Sequence, residues 1–167
     1  MNFSVTEQGL ILPDDRLVRC ALGRGGIGIK RREGDGLTPI GEWPLRRVLY
    51  RPDRMSEPET DLPVQALKPE DGWCDDPTHP AYNQPVQRPF AASHETLWRA
   101  DSLYDLIVVL GFNDNPVRLG AGSALFLHVA NPDYSPTEGC VALAPSDLQN
   151  VLQTCQPGGV LAISSNN

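Results

Sequence analysis

Ten prolines fall in the 51 residues from Pro39 to Pro89, and that density limits the fold more than any other feature. Proline has no backbone N–H and clashes with the preceding helical turn, so it forbids regular helix, and a central strand would lose ladder bonds too. The stretch therefore reads as an ordered, loop-rich insert over about residues 51–100, because Trp43, Tyr50, Trp73, Tyr82 and Phe90 give it apolar material to pack with. Across all 167 residues there are 16 prolines, roughly twice the usual share of about 5%. Little of the chain has room for a long helix.

The flanks carry the regular elements. "FSVTEQGLILPDDRLVRCALG" reads as short strands with turns at Gln8-Gly9 and Pro13-Asp14-Asp15. Leu106–Leu110 is an unbroken apolar run that suits a core strand, and a second strand ends at His128. Pro145, the Ser146/Gln149 pair and apolar Leu148, Val151 and Leu152 predict a short amphipathic helix. Pro157-Gly158-Gly159 stops it before a last strand, "VLAIS". The expected fold is one mostly-β domain over 1–167 with one or two short helices.

Several function classes are excluded by charge and spacing. A net charge of −7 argues against a nucleic-acid partner, which calls for a basic face. The four cysteines include no C-x-x-C pair; two disulfides are allowed by parity alone. His79, His94 and Cys74 fit no standard zinc spacing, so no metal is expected. "GRGGIG" (Gly23, Gly25, Gly28) matches a dinucleotide-binding pattern, but "IKRREGDGLTPIGEW" follows it and cannot form the helix that would meet a pyrophosphate. No cofactor is expected. No apolar run is long enough to span a membrane, and the N-terminus lacks the basic and apolar regions of a signal peptide, so the chain taken literally starts in the cytoplasm.

Chemistry concentrates at "HVANPDYSPTEGCVAL", residues 128 to 143. A nucleophilic cysteine needs a base within hydrogen-bond reach. Twelve residues on from His128, Cys140 follows a connection with two prolines and a glycine, which is enough chain to turn back. Gly139 leaves room beside the sulfur for a substrate backbone, and the amides of Gly139 and Cys140 suit an oxyanion hole. The alternative is a buried structural cysteine beside an unrelated histidine.

This stretch resembles the active-site signature of the L,D-transpeptidase (YkuD) family: a histidine, a variable loop, then Ser/Thr-x-Gly-Cys and an apolar residue. "GDGLTPIGEWPL" is similar to that family's other landmark, with Thr38, Pro39 and Gly41 in order. The resemblance implies a mostly-β sandwich, Cys140 as nucleophile and His128 as general base, acting on peptidoglycan stem peptides. It implies crosslinking through a thioester, between the third residues of two stems or from the first stem residue by way of the L-Ala–D-Glu bond. Hydrolysis of the same bonds, or peptidoglycan binding without catalysis, are the alternatives. Two positions depart from the pattern: Glu138 replaces a common histidine, and Ala142 replaces a common arginine that holds a substrate carboxylate. Arg88, Arg99 and Arg118 are possible substitutes for that arginine. Glu138 is expected to point away from the sulfur or to meet an arginine.

The insert's polar-aromatic clusters suggest substrate contacts, at Tyr50, Trp73, Tyr82, Asn83, Arg88, Trp98 and Arg99, with Ser123 beside them. Each is open to a plain packing role. The implied substrate places the protein, a monomer without membrane insertion, in the periplasm or cell envelope.

Overall fold

The computed structural model describes residues 2–166. Its strands run, in chain order, β1 (Asn2–Thr6), β2 (Gly9–Ile11), β3 (Leu17–Val18), β4 (Cys20–Ala21), β5 (Ile27–Gly28), β6 (Thr38–Pro39), β7 (Gly41–Tyr50) and β8 (Val64–Ala66). They continue as β9 (Asp71–Cys74), β10 (Pro85–Gln87), β11 (His94–Thr96), β12 (Leu106–Leu110), β13 (Phe126–Val129) and β14 (Val141–Leu143). The one helix among the described residues, α1 (Pro145–Thr154), precedes β15 (Val160–Ile163). The main sheet has the order β3-β2-β1-β15-β7-β12-β13-β14-β4, with β8 also paired to β7.

Side-chain alternation sets the layering. Along β7, β12 and β13, Val48, Tyr50, Leu106, Val108, Leu110 and Leu127 face a core completed by Phe3, Leu10, Leu161 and α1. The residues between them, Leu49, Ile107, Val109 and Phe126, face a second core closed by Leu67, Trp73, Leu97 and Tyr104. A sheet covered on both faces needs apolar residues at every position, which explains the unbroken "LIVVL" of β12.

The insert supplies that second cover. It contains no helix, as its prolines require, and folds around a small sheet of order β10-β9-β11. Pro85 starts an edge strand, where a missing N–H does no harm. The expectation that the Pro39–Pro89 stretch holds no central strand is corrected by β9 and, above all, by β7. Pro44 lies inside β7 next to a register shift at Val109/Leu110, and its carbonyl accepts from the Gly111 N–H. Its missing donor thus falls where the ladder is already irregular.

Helix α1 begins with Pro145 in its first turn, but the cap residue is Ala144, which has no side-chain bond to give. Ser146 lies two residues past the cap, so the capping box expected of it does not form. The four cysteines are free thiols.

Phe126 joins the layers: it is fully buried, with Trp73 edge-on at 5.2 Å and Tyr104 at 5.8 Å. Phe126→Ala should lower the unfolding free energy by about 3–5 kcal/mol, read from urea denaturation, and Phe126→Leu by much less.

Candidate active site

Parallel pairing of β13 and β14 brings two distant residues together. His128 lies opposite Ala142, and Cys140 precedes Ala142 by two, so strand alternation points all three toward one face. They line a cleft of about 430 Å³ between the sheet, the glycine-rich loop and the insert.

The loop carrying Cys140 is held by hydroxyls. Thr38, wholly buried, accepts from the Gly23 N–H (2.8 Å) and donates to the Gly139 carbonyl (2.9 Å). Thr137 donates to the Cys140 carbonyl (2.6 Å) and accepts from the Gly139 N–H (3.1 Å). Gly139 itself has φ +142, and a Cβ there would lie 2.8 Å from the Leu37 carbonyl. Only glycine suits that backbone. Two expectations change as a result. The space beside Gly139 admits the chain's own Leu37 backbone, and the Gly139 amide is occupied by Thr137, so it is not an oxyanion donor here.

His128 is 5% exposed, and its Nδ1 lies 2.9 Å from the Val129 carbonyl. A carbonyl only accepts, so Nδ1 carries the proton and Nε2 keeps its lone pair. The Tyr104 ring stands edge-on to the imidazole at 5.3 Å. Burial lowers the His128 pKa below its ordinary 6.5, outweighing the Val129 and Leu103 carbonyls that favour the charged form.

Cys140 donates from Sγ to the Ala124 carbonyl at 3.1 Å rather than to His128. Burial, then the charge of Glu95, push its thiol up to about 12, against the smaller opposing effects of the Phe126 amide and Lys30. Glu95 is itself raised by burial, although the Tyr104 hydroxyl donates to it at 2.9 Å. The resting site is therefore a neutral thiol beside a neutral imidazole.

Of the residues expected to touch substrate, two line the cleft: Arg99 and Ser123. Ser123 donates to Glu33 (2.8 Å), and Arg99 is clamped by Asp101 through Nε and one terminal nitrogen. The others do not reach it. Tyr50, Trp73, Tyr82 and Asn83 are buried; Tyr50 packs in the first core and Trp73 donates to Asn83. Tyr82 hydrogen-bonds Glu33 and accepts from the Gly122 N–H. Arg88 is exposed outside the cleft, and Trp98 lies beneath the Arg51 guanidinium at 3.8 Å. Stiff aromatics beside arginines serve packing as readily as recognition, which is why the sequence misleads here.

Glu138 pairs with Arg24 at 3.0 Å on the surface, as one of its two expected placements has it. Ala142 packs with Ala21 and Ala130 at the edge of the cleft and offers no charge to a substrate carboxylate. His79 and His94 meet the Phe90 ring edge-on, and Cys74 is buried. Lys30, Glu33, Glu95 and Tyr104 line the cleft without having been singled out. Only Lys30, in the glycine-rich landmark strand, had a sequence signal; the other three arrive through long-range packing.

A mostly-β sheet with a histidine on β13 and a cysteine immediately before its parallel neighbour β14 has the arrangement of a candidate thiol acyltransferase. Residues 3–163 match the L,D-transpeptidase catalytic domain, YkuD, and the chain belongs to that family, whose members act on peptidoglycan. No curated protein matches the chain. Among the described residues no helix is long and apolar enough to cross a membrane.

With its thiol at about 12, Cys140 should react with iodoacetamide about tenfold faster per pH unit from about pH 7 to about pH 9, with no plateau. Peptide mass spectrometry separates it from Cys20. Glu95→Gln should speed labelling at fixed pH by removing a charge that disfavours thiolate; unchanged labelling would remove Glu95 from the electrostatics of the sulfur.

Proposed function

We propose that the protein is a peptidoglycan L,D-transpeptidase in which Cys140 is the nucleophile and His128 the general base. The observation that carries this reading is their placement on one face of β13 and β14, lining one cleft, with the Nε2 lone pair of His128 left free by the Val129 carbonyl. Proton transfer in the resting site is uphill, so His128 Nε2 takes the thiol proton as Sγ attacks the carbonyl of an L-to-D peptide bond. The C–N bond then breaks, the same proton passes to the departing amine, and a thioester is left on Cys140. An amine of a second stem attacks the thioester, and the thiol regains its proton by way of His128. The Cys140 N–H is the amide that faces the developing oxyanion.

Arg99 takes the place of the arginine missing at position 142. Asp101 engages one edge of its guanidinium, which has five N–H donors, so hydrogens remain for a stem carboxylate. This favours the ordinary bond after diaminopimelate, giving crosslinks between the third residues of two stems. Peptidoglycan as substrate places the protein in the cell envelope.

Purified protein incubated with muropeptides should give dimers by mass spectrometry. Shortened monomers alone would mean hydrolysis, and donors cut back to the first alanine would mean the L-Ala–D-Glu junction. A carbapenem should add one adduct to the wild type and none to Cys140→Ala. His128→Ala should lose about 10²- to 10⁴-fold in rate. Because the neutral imidazole is the active form and its pKa is lowered, activity should hold as pH falls to 6.5 and decline only below it. Arg99→Ala should raise KM for a carboxylate donor far more than for its amide.

A further inference from the structure

We infer that Asn83, in the turn between β9 and β10 of the insert, is a positioning residue for the Cys140 thiol, acting through Ala124. Asn83 is 6% exposed, and its carboxamide is fully engaged. Oδ1 accepts from the Trp73 indole N–H (3.0 Å) and the Ala124 N–H (2.9 Å), while Nδ2 donates to the carbonyls of Phe112 (2.9 Å) and Asn113 (2.8 Å). All of the hydrogen-bonding capacity of that side chain is thus directed at one small region behind the cleft.

Ala124 is the residue that needs holding. It has φ +52, a left-handed conformation that residues with a Cβ rarely adopt. Its N–H is bound by Asn83 and its carbonyl receives the Cys140 thiol, so the two bonds bracket the strained residue. Observed backbone strain of this kind persists only where surrounding contacts over-determine it. Those contacts come from the insert and the glycine-rich loop, since Tyr82 accepts from the Gly122 N–H and Ser123 donates to Glu33. Three consecutive residues, 122–124, are fixed from behind, and the last of them presents the carbonyl that receives the thiol hydrogen. The insert is a buttress for the thiol's partner.

The test uses Asn83→Gly, which suits the left-handed backbone at Asn83 (φ +57) and removes the carboxamide together with its one methylene. Thiol labelling by iodoacetamide is followed against pH, well below the variant's melting temperature. Freed from its acceptor, Cys140 should label at least about fivefold faster at fixed pH, the scale of one hydrogen bond, with its profile displaced to lower pH. With muropeptides, kcat should fall while KM holds. A lowered melting temperature with native labelling and native kcat would reduce Asn83 to a structural residue and overturn the inference. If Asn83→Gly does not fold, Trp73→Phe removes one of the bonds orienting the amide, and a smaller displacement in the same direction is expected; a native profile overturns the inference. The kinetic arm rests on the proposed reaction, whereas labelling needs no substrate. Predicted labelling without crosslinks would therefore overturn the transpeptidase reading alone.

Discussion

The hydroxyl of Thr38 is the interaction on which the site depends. It reaches from a two-residue strand across 101 residues of sequence to the Gly139 carbonyl, while taking the Gly23 amide on its other side. Beside it, Gly23 and Thr137 form an isolated parallel bridge. The glycine-rich loop, the Thr-Pro-x-Gly segment and the cysteine loop are thereby joined at a point closed to water. A buried hydroxyl left without partners is costly, and here both of its roles are used, so the three segments have one low-energy arrangement. The Gly139 backbone lies so close to Leu37 that no other residue could occupy the position.

Around that joint, the main sheet works as a partition. One face is covered by the N-terminal strands and α1, the other by the Pro-rich insert, and the cleft opens where the second cover meets the glycine-rich loop. Proline here gives the cover its form. Segments too broken for helix still make strands of three or four residues, and their turns bring Tyr82 and Asn83 to the back of the cleft.

What could be read in advance was local. Alternation and turn residues mark the strands on either side of the insert, and Pro145 marks the helix start. Cys140 and His128 stand out because their chemistry is written in a short stretch whose chain direction suits parallel pairing. Ala124 has no such mark: its left-handed backbone is imposed by partners 40 residues away. Glu95 and Tyr104 are equally silent, since a buried carboxyl and a phenol acquire a role only from what they face. The insert's aromatics misled for a related reason. Their size suits a ligand or a core equally, and the apolar second face of the sheet claims Trp73 and leaves Tyr82 and Asn83 as its polar pins.

The neutral state of the resting thiol has a consequence for chemical durability. Peroxide and disulfide reagents react with thiolate, so susceptibility follows the thiolate fraction and exposure of each sulfur. At about 12, Cys140 presents almost none of that form near neutrality, and Cys155, also pushed to about 12, is buried. Burial and, after it, the charge of Glu95 keep the Cys140 sulfur protonated, with its hydrogen directed at the Ala124 carbonyl. Such a sulfur resists oxidation near neutral pH without a protecting reductant, because its reactive form stays scarce until something takes its proton.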